Sequence, residues 1–235
     1  MLQITDNVYS VQGLRVGRVY VIQGADGLTL IDTSLPNASP QIARELEAHG
    51  FSLDTVKRIL ITHAHPDHIG SLPALQKLTT AQTYAQPKEA SVIKGQQPMV
   101  RPRAQDLPGF YKLFANVSSP NSPARVEREI VAGEVLDEVL PGLTVIDLPG
   151  HAPGQIGFWY PAKRLLIGGD VMMRYGGKLR PPLIFVTPDM PEARRSIRKV
   201  VEMNVDIMCF GHGVPIVGDA NVAIQELANR LQIVA

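Results

Sequence analysis

The sequence predicts an α/β fold in which one domain, residues 1–235, contains two β-sheets covered by outer helices. Short apolar runs separated by glycines are typical of strands. A strand, strand, helix order recurs in both halves of the chain, and no linker rich in Pro, Gly and Ser divides them. The composition, with 45% hydrophobic and 19% charged residues, is that of an ordinary globular protein and excludes a disordered or collagen-like chain.

The first half of the chain predicts five strands and three helices. Apolar runs predict strands over residues 8–11, 19–22, 28–32, 56–61 and 82–85. Amphipathic segments predict helices over residues 41–49, 70–77 and 87–94. Ser39 and Pro40 before the first helix, and Gly50 after it, are residues typical of helix boundaries.

The second half predicts four strands and two helices around the same kind of core. The strands cover residues 143–148, 155–160, 165–167 and 206–210, and the helices cover 191–203 and 220–231. Between the halves, residues 96–125 contain five prolines, with Phe110, Tyr111 and Phe114 among them. Long irregular segments in compact domains usually serve as lids or binding loops, so we expect a lid or a surface insertion here.

Charge and cysteine content restrict the partners and the compartment. Lys and Arg number 23 against 22 Asp and Glu, a net charge of +1, which argues against a nucleic-acid-binding face. No run of 18 apolar residues predicts a membrane span, and the first residues do not resemble a secretory signal, so we expect a cytoplasmic protein. The single Cys209 excludes an internal disulfide. The expected partner is a small-molecule substrate, and a homodimer is left open.

A dense cluster of metal-ligand residue types follows the strand at 56–61. His63, His65 and His68, three of six histidines, lie there with Asp67. Imidazole nitrogen and carboxylate oxygen are ligands for zinc and other first-row metals. His63 and His65 are two residues apart, which places both on one side of extended backbone. Asp67 and His68 follow the turn expected at Pro66, so two differently directed pairs favour two adjacent metals.

Three further candidate ligands follow the ends of apolar strands. His151, Asp170 and His212 each come after one or two glycines that follow such a strand. Residues at the carboxyl ends of strands converge on one edge of a sheet, where α/β folds place their sites. The remaining histidine, His49, lies at a predicted helix end, where we expect it to cap the helix. Cys209 lies inside an apolar strand and is expected to be a buried structural thiol.

The pattern resembles the metallo-β-lactamase fold superfamily, through its His-x-His-x-Asp-His signature at residues 63–68 and its three downstream ligands. The resemblance implies a four-layer αββα sandwich with a dinuclear centre between two mixed sheets. The implied ligands are His63, His65 and His151 for a first metal, Asp67, His68 and His212 for a second, and Asp170 as the bridge between them. Asp32 matches a position that supports the ligand loops by hydrogen bonding.

The same resemblance implies a hydrolase that uses a hydroxide bridging two divalent metal ions. Two divalent cations exceed the charge of two aspartates and one hydroxide by about one unit, and this remainder can stabilise an oxyanion. Zinc is the default metal from the ligand types, and iron, manganese or cobalt also fit. Asp67 and Asp170 are the expected catalytic residues.

The bridging aspartate narrows the branch of the superfamily. True β-lactamases of this fold lack it, whereas lactonases, glyoxalase II-like thioesterases and phosphodiesterases share it. Lactonases commonly place a tyrosine three residues later; here that position is Met173, and Tyr175 lies two residues further on. Glyoxalase II usually adds a C-terminal helical region. Only 23 residues follow His212, which we expect to be too few for such a region.

The segment 171–186 is expected to form the rim of the site. Its apolar residues favour a lactone or another small apolar ester, and a promiscuous hydrolase. These apolar residues are Met172, Met173, Leu183, Ile184 and Phe185. Its basic residues either bind an anionic group or form a solvated surface; they are Arg174, Lys178 and Arg180.

Alternative functions remain open at the same site. A phosphodiester or phosphotriester hydrolase would use more cationic contacts, and a glyoxalase II-like thioesterase would use the same bridging aspartate. A β-lactamase is disfavoured by Asp170. A persulfide dioxygenase, an oxidoreductase, would need one iron only. A scaffold protein is disfavoured because non-catalytic relatives generally lose ligands, and all seven are present here.

Overall fold

Two mixed β-sheets lie at the centre of the molecule. The computed structural model describes residues 1–114 and 122–233, so residues 115–121 of the predicted lid lie outside the described residues. The first sheet has seven strands in chain order, antiparallel from β1 to β4 and parallel from β4 to β7. Its strands are β1 Leu2–Gln3, β2 Val8–Ser10, β3 Tyr20–Gln23, β4 Leu28–Ile31, β5 Val56–Leu60, β6 Gln82–Ala85 and β7 Arg128–Glu129.

The second sheet has five strands in the order β14-β13-β10-β9-β8, and a two-stranded hairpin, β11 with β12, lies apart from it. Only β10 and β13 pair in parallel in this sheet. The strands are β8 Thr144–Asp147, β9 Ile156–Tyr160, β10 Leu165–Ile167, β11 Met173–Tyr175, β12 Lys178–Arg180, β13 Ile207–Cys209 and β14 Ile216–Val217.

Six helices cover the outer faces of the sheets in the described part of the chain. They are α1 Ser39–Glu47, α2 Pro66–Ile69, α3 Leu72–Leu78, α4 Pro87–Ile93, α5 Met190–Glu202 and α6 Ala220–Arg230. The first four pack on the first sheet, and α5 and α6 pack on the second.

Alternation of side chains along the strands builds three apolar layers. Tyr20 of β3 packs with Phe158 of β9 in the layer between the sheets. The neighbouring Val21 points to the opposite face and joins the cluster beneath α1 to α4. Likewise Ile167 faces the first sheet, and Leu166 packs beneath α5 and α6. This period of two is the one that strand geometry imposes, and the predicted αββα sandwich is confirmed.

The structure corrects several element boundaries. The helix predicted at 70–77 corresponds to α3, which begins two residues later, and the short helix α2 before it was not predicted. Gly70 lies between the two helices, where a Cβ would lie 2.3 Å from Pro36 N. The first helix begins at Ser39 and has Ala38 at its N-cap, so Ser39 and Pro40, which were predicted to precede the helix, are its first two residues. The two-residue strands β1, β7 and β14 and the β11–β12 hairpin were not predicted, since so few residues carry no periodic pattern.

No helix in residues 1–114 and 122–233 is both long and apolar enough to span a bilayer.

Candidate metal centre

The seven predicted ligands come together at one edge of the sandwich. His63, His65, Asp67 and His68 follow β5 of the first sheet, partly on the short helix α2. The other three ligands follow β8, β10 and β13 of the second sheet; they are His151, Asp170 and His212. The four strands present their carboxyl ends to this edge, which brings residues separated by up to 149 positions into contact.

The ligand atoms form three overlapping groups. Within each group, one atom from each side chain lies within 4.8 Å of the others. The groups are His63, His65 and His151; His63, His68 and Asp170; and Asp67, His68 and His212. The first and third groups are the two ligand sets that the resemblance implied, and the second places Asp170 between them.

Asp170 occupies the centre of the cluster. Its Oδ1 lies 3.5 Å from His68 Nε2. Its Oδ2 lies 3.3 Å from His151 Nε2 and 3.2 Å from His212 Nε2. His212 Nε2 also lies 3.0 Å from Asp67 Oδ2. One carboxylate thus contacts histidines from both ligand sets, while its side chain is only 2% exposed.

Asp32 orients two of the histidines through a buried hydrogen-bond network. Its Oδ1 accepts from the Thr62 backbone N–H at 2.8 Å, and its Oδ2 accepts from the Thr62 hydroxyl at 2.7 Å. The same Oδ2 lies 2.7 Å from His68 Nδ1. Because the Thr62 hydroxyl donates to Asp32, its oxygen is left to accept from His63 Nδ1 at 3.1 Å. The supporting role predicted for Asp32 therefore matches its contacts.

The backbone at Asp32 is itself constrained. Its φ is +61°, in the left-handed region that non-glycine residues rarely occupy. The Asp32 N–H donates to Leu60 O at 2.9 Å, which ties the end of β4 to the end of β5. This conformation turns the carboxylate towards the Thr62 and His68 loops, as strained backbone at functional sites often does.

Thr187 supports a third histidine in the same way. Its hydroxyl donates to Leu183 O at 2.8 Å, so its oxygen accepts from His151 Nδ1 at 3.0 Å. In each of these three histidines Nδ1 is therefore the protonated nitrogen, and Nε2 presents a lone pair to the centre. Thr187 was not predicted, because nothing in a loop sequence shows that it folds back against a residue 36 positions earlier.

Several buried atoms at the centre have no hydrogen-bond partner in the part of the chain that the structure describes. They are the Nε2 atoms of His63, His68 and His151 and Oδ1 of Asp170. A buried polar atom without a partner costs about 1–3 kcal/mol, so a cluster of four needs another explanation. Nitrogen and carboxylate donors that converge with free lone pairs fit a divalent metal ion.

The electrostatics of the cluster also favour positive charge at its centre. Burial lowers the pKa of His63 well below its usual value, and the neighbouring histidines lower it further, which keeps this ligand neutral. Burial alone would lower the pKa of His212, but Asp170 and Asp67 outweigh it and raise that pKa to about 9. Burial alone would also lower the pKa of His68, but Asp170, Asp32 and Asp67 outweigh it and raise that pKa. The carboxylates thus attract positive charge, whether protons or metal cations.

Glu89 is a functional-site residue that the sequence did not reveal. It lies in the first turn of α4 and is 3% exposed. Its Oε2 accepts from the backbone N–H of Ala64, between His63 and His65, and its Oε1 accepts from Gly154 N–H in the loop after His151. Acidic residues are common in the first turn of a helix at exposed positions, so neither the residue type nor the position of Glu89 predicts a role at the site.

The loop that carries His212 is held by the first sheet. Arg18 N–H donates to Gly211 O at 2.8 Å, and Arg18 Nε donates to Gly213 O at 2.9 Å. Tyr20 adds a third bond, from its buried hydroxyl to Phe210 O at 2.7 Å. These bonds fix the end of β13 against the start of β3, and thereby place His212 opposite Asp67.

A cleft of about 390 Å³ opens onto the centre. It is lined by His65, Asp67, His151, Asp170 and His212 on the metal side. Its apolar wall consists of Val16, Leu35, Pro66, Met99, Met173, Leu183, Phe185 and Val186, and Arg101 and Tyr175 complete it. A small, largely apolar cleft beside polar groups is typical of a small-molecule site.

The predicted rim is correct in part. Met173, Leu183 and Phe185 line the cleft, but Met172 is buried in the core beneath α5 and α6. The basic residues of the segment do not line the cleft. Arg174 donates to Val214 O and Pro215 O, and Lys178 and Arg180 are exposed on β12. Lys178 and Arg180 therefore belong to the solvated surface, whereas Arg174 is half-buried.

The described part of the segment 96–125 also reaches the cleft. Met99 and Arg101 line it, and Tyr111 stacks on Phe185 with ring centroids 5.7 Å apart.

His49 and Cys209 lie where they were expected. His49 Nδ1 bonds the Glu45 carbonyl at the end of α1, and Cys209 is fully buried between the sheets, which raises its thiol pKa.

Comparison with known proteins agrees with this geometry. The family model described as the metallo-beta-lactamase superfamily matches residues 13–212. The chain therefore belongs to the metallo-beta-lactamase superfamily, and the prediction that it is a metal-dependent hydrolase of that superfamily is confirmed.

Individual relatives show the extent of the similarity. The probable metallo-hydrolase YflN of Bacillus subtilis is 28% identical over 93% of this chain and 89% of its own length. A hydroxyacylglutathione hydrolase of Methylobacillus flagellatus is 28% identical, over 60% of this chain and 42% of its own length. Among solved structures, a metallo-beta-lactamase family protein of Thermus thermophilus superimposes with a TM-score of 0.74 and 23% identity, over 98% of this chain and 81% of that one. The last similarity concerns the fold alone.

Proposed function

We propose that this protein is a dinuclear metal-dependent hydrolase that cleaves a carboxylic ester, preferentially a lactone or a similarly small apolar ester. His63, His65 and His151 would hold one ion, and Asp67, His68 and His212 the other. The observation that carries the proposal is the position of Asp170, whose two oxygens lie within 3.5 Å of histidines from both sets. Zinc is the metal we propose, because the donors are imidazole and carboxylate.

When bound, such ions supply a water of lowered pKa and polarise the oxygen that becomes negative in the reaction. The residues of the chain prepare the site for that chemistry. Asp67 and Asp170 carry the negative charge that balances the cations. Asp32, Thr62 and Thr187 hold three imidazoles with Nε2 directed inwards, so no rearrangement is needed when substrate binds.

The cleft provides the contacts that a small ester requires. Met99, Met173 and Phe185 form an apolar wall that holds an alkyl or ring portion and displaces water. Burial, together with Asp170 and Asp67, raises the pKa of Tyr175, so its hydroxyl stays protonated at neutral pH. Tyr175 lines the cleft, so we propose that its hydroxyl donates a hydrogen bond to a substrate oxygen, the role that lactonases commonly give to a tyrosine at the position of Met173.

A thioester is the second candidate substrate, and the similarity to a hydroxyacylglutathione hydrolase favours it. A phosphoester is less well supported. A phosphate carries its charge on several oxygens and is usually bound by clustered cations, whereas Arg101 is the one arginine or lysine among the described residues that line the cleft.

Metal analysis combined with a substrate panel tests the proposal. The purified protein is stripped with a chelator, reloaded with zinc, iron, manganese or cobalt, and assayed on lactones, thioesters, β-lactams and phosphoesters. We expect activity on lactones to disappear with the metal and return with it. The matched control is Asp147→Asn, which alters an exposed aspartate at the end of β8, paired with Lys199 and outside the cleft. Turnover that survives complete metal removal, or activity confined to phosphoesters, would overturn the proposal.

A further inference from the structure

Arg101 stands in the wall of the cleft on a segment that the core holds in place. The segment, residues 96–107, follows α4 and is called the strap below. Gln96 N–H donates to Ser91 O at 2.9 Å where the strap leaves the helix. Pro102 beside Arg101 is buried, and Leu107 at the far end is 3% exposed. Anchors on both sides of Arg101 thus hold its backbone beside the cleft, and its side chain is part of the cleft wall.

The guanidinium of Arg101 has no hydrogen-bond or ion-pair partner within residues 1–114 and 122–233. Its neighbour Arg103, two residues further along the strap, pairs instead with Asp106 at 2.6 Å. Arg101 is half-buried, and its desolvation lowers its pKa without removing its charge at neutral pH. The N–H donors of Arg101, which have no protein acceptor among the described residues, are therefore available to a ligand in the cleft.

The surroundings of Arg101 define the chemistry of that ligand. Its neighbours in the cleft wall include Met99, Leu183 and Phe185, which are apolar and cannot neutralise it. The acidic residues of the cleft, Asp67 and Asp170, contact histidines. A planar guanidinium matches the two oxygens of a carboxylate, and its single charge balances one negative charge.

We propose that Arg101 binds a singly charged oxyanion, a carboxylate or a sulfonate, on the part of the substrate that does not react. The inference rests on the proposed function, because it assigns the ester to the metal side of the cleft and the anion to the strap. It specifies the substrate class: a compact ester or lactone that carries one negative charge beyond an apolar portion. Arg101 then selects for charge, while the apolar wall selects for shape.

A binding experiment tests this independently of catalysis. The metal-loaded protein is titrated calorimetrically with α,ω-dicarboxylates of increasing length, and with analogues in which one end is a sulfonate or a neutral carboxamide. One carboxylate can occupy the metal side in every case, so the second end reports on Arg101. At one chain length we expect the doubly charged compounds to bind about 10-fold more tightly than the carboxamide or better, as for a charge-assisted hydrogen bond. The charged end whose compound binds more tightly, carboxylate or sulfonate, is the oxyanion that Arg101 prefers.

Variants of the strap make the result specific. Arg101→Gln should remove the preference for the charged end and change the affinity for the carboxamide far less, because a neutral oxygen binds a guanidinium more weakly than a carboxylate does. Arg101→Lys should restore part of the preference, because it restores the charge without the two-pronged geometry. Arg103→Gln is the matched control, since Arg103 has a side chain 74% exposed and lies outside the cleft. A preference that persists in Arg101→Gln, or its absence at every length in the unmodified protein, would overturn the inference.

Kinetics then link the binding to the reaction. For a lactone with a ring carboxylate, Arg101→Gln should raise KM about 10-fold and leave kcat near its original value, the pattern for a contact kept from ground state to transition state. The matching carboxamide lactone should be affected far less. If the calorimetric difference is present and neither lactone is hydrolysed, the proposed function fails while the assignment of Arg101 stands.

Discussion

The carboxylate oxygen Oε2 of Glu89 lies 2.7 Å from the backbone nitrogen of Ala64, the residue between His63 and His65. The other oxygen of the same carboxylate accepts from Gly154 N–H at 2.8 Å, in the loop after His151. One buried side chain of α4 therefore joins the loops from the two sheets that would hold the first metal. Its burial raises the pKa of Glu89, although the two N–H donors oppose that shift.

Replacing Glu89 by Gln should loosen this connection while keeping the volume of the side chain. The amide nitrogen must then face one of two backbone donors, which should cost about 1–3 kcal/mol of unfolding free energy. Urea unfolding measures the loss, and metal occupancy should fall with it. Glu129→Gln is the control, because Glu129 is exposed on β7 and pairs with Lys94. Equal unfolding midpoints for the Glu89 variant and the unmodified protein would contradict the role assigned to this carboxylate.

The substitution Asp32→Asn should weaken metal binding without touching a ligand. Asp32 accepts from Thr62 and from His68 Nδ1, so an amide nitrogen there would face another donor and release the imidazole from its orientation. Loss of such a supporting contact typically lowers metal affinity about 10–100-fold. Competition with a chromophoric chelator measures it. Asp26→Asn, at an exposed aspartate that pairs with Arg58, should leave the affinity unchanged; an equal effect of both variants would show that the contact to His68 is immaterial.

Gly211→Ala should damage the centre by direct overlap. A Cβ at this position would lie 1.9 Å from Asp170 Oδ1 and 2.7 Å from His68 Cε1. The backbone cannot retreat freely, because Gly211 O is held by Arg18 N–H. We expect a normal far-ultraviolet circular dichroism spectrum with reduced metal content. Gly176→Ala is the control: its new methyl group meets nothing within 4 Å, and its positive φ costs about 1–2 kcal/mol in the turn only. Full metal content in Gly211→Ala would mean that Asp170 is not held where the structure places it.

Tyr20→Phe should destabilise the contact between the two sheets near His212. The Tyr20 hydroxyl is buried and donates to Phe210 O, so its removal leaves a buried carbonyl without this donor. The expected loss is about 1–3 kcal/mol in chemical denaturation. Tyr9→Phe removes an exposed hydroxyl that donates to Asp6 O and should change stability very little. A similar small change in both variants would count against a structural role for the Tyr20 bond.

The part of the site that the sequence predicted is the part encoded by local pattern. A spacing of two after an apolar strand located His63 and His65, and a glycine after an apolar strand located Asp170 and His212. Both patterns follow from strand geometry, which fixes side-chain direction and the edge where strands end. The two sheets and their outer helices could likewise be predicted from short apolar runs and amphipathic periodicity.

The site residues that the sequence did not reveal depend on contacts between distant segments of the chain. Thr187 supports His151 through a loop whose residues resemble any surface loop, and Glu89 resembles an ordinary helix-start acid until α4 packs against the ligand loops. Arg101 was hidden in a proline-rich segment. Of the basic residues selected from sequence, Arg174 donates to backbone carbonyls, and Lys178 and Arg180 are exposed on β12. No local pattern carries such information, because it arises only when tertiary packing is complete.

Anomalous X-ray diffraction from crystals of the metal-loaded protein tests the central claim most directly. Data collected on both sides of the absorption edge of the bound element locate each ion and count the ions in each chain. We predict two anomalous peaks, one bounded by His63, His65 and His151 and the other by Asp67, His68 and His212, with Asp170 between them. A single peak in fully active protein, or peaks only at other places on the chain, would contradict a dinuclear centre at these residues.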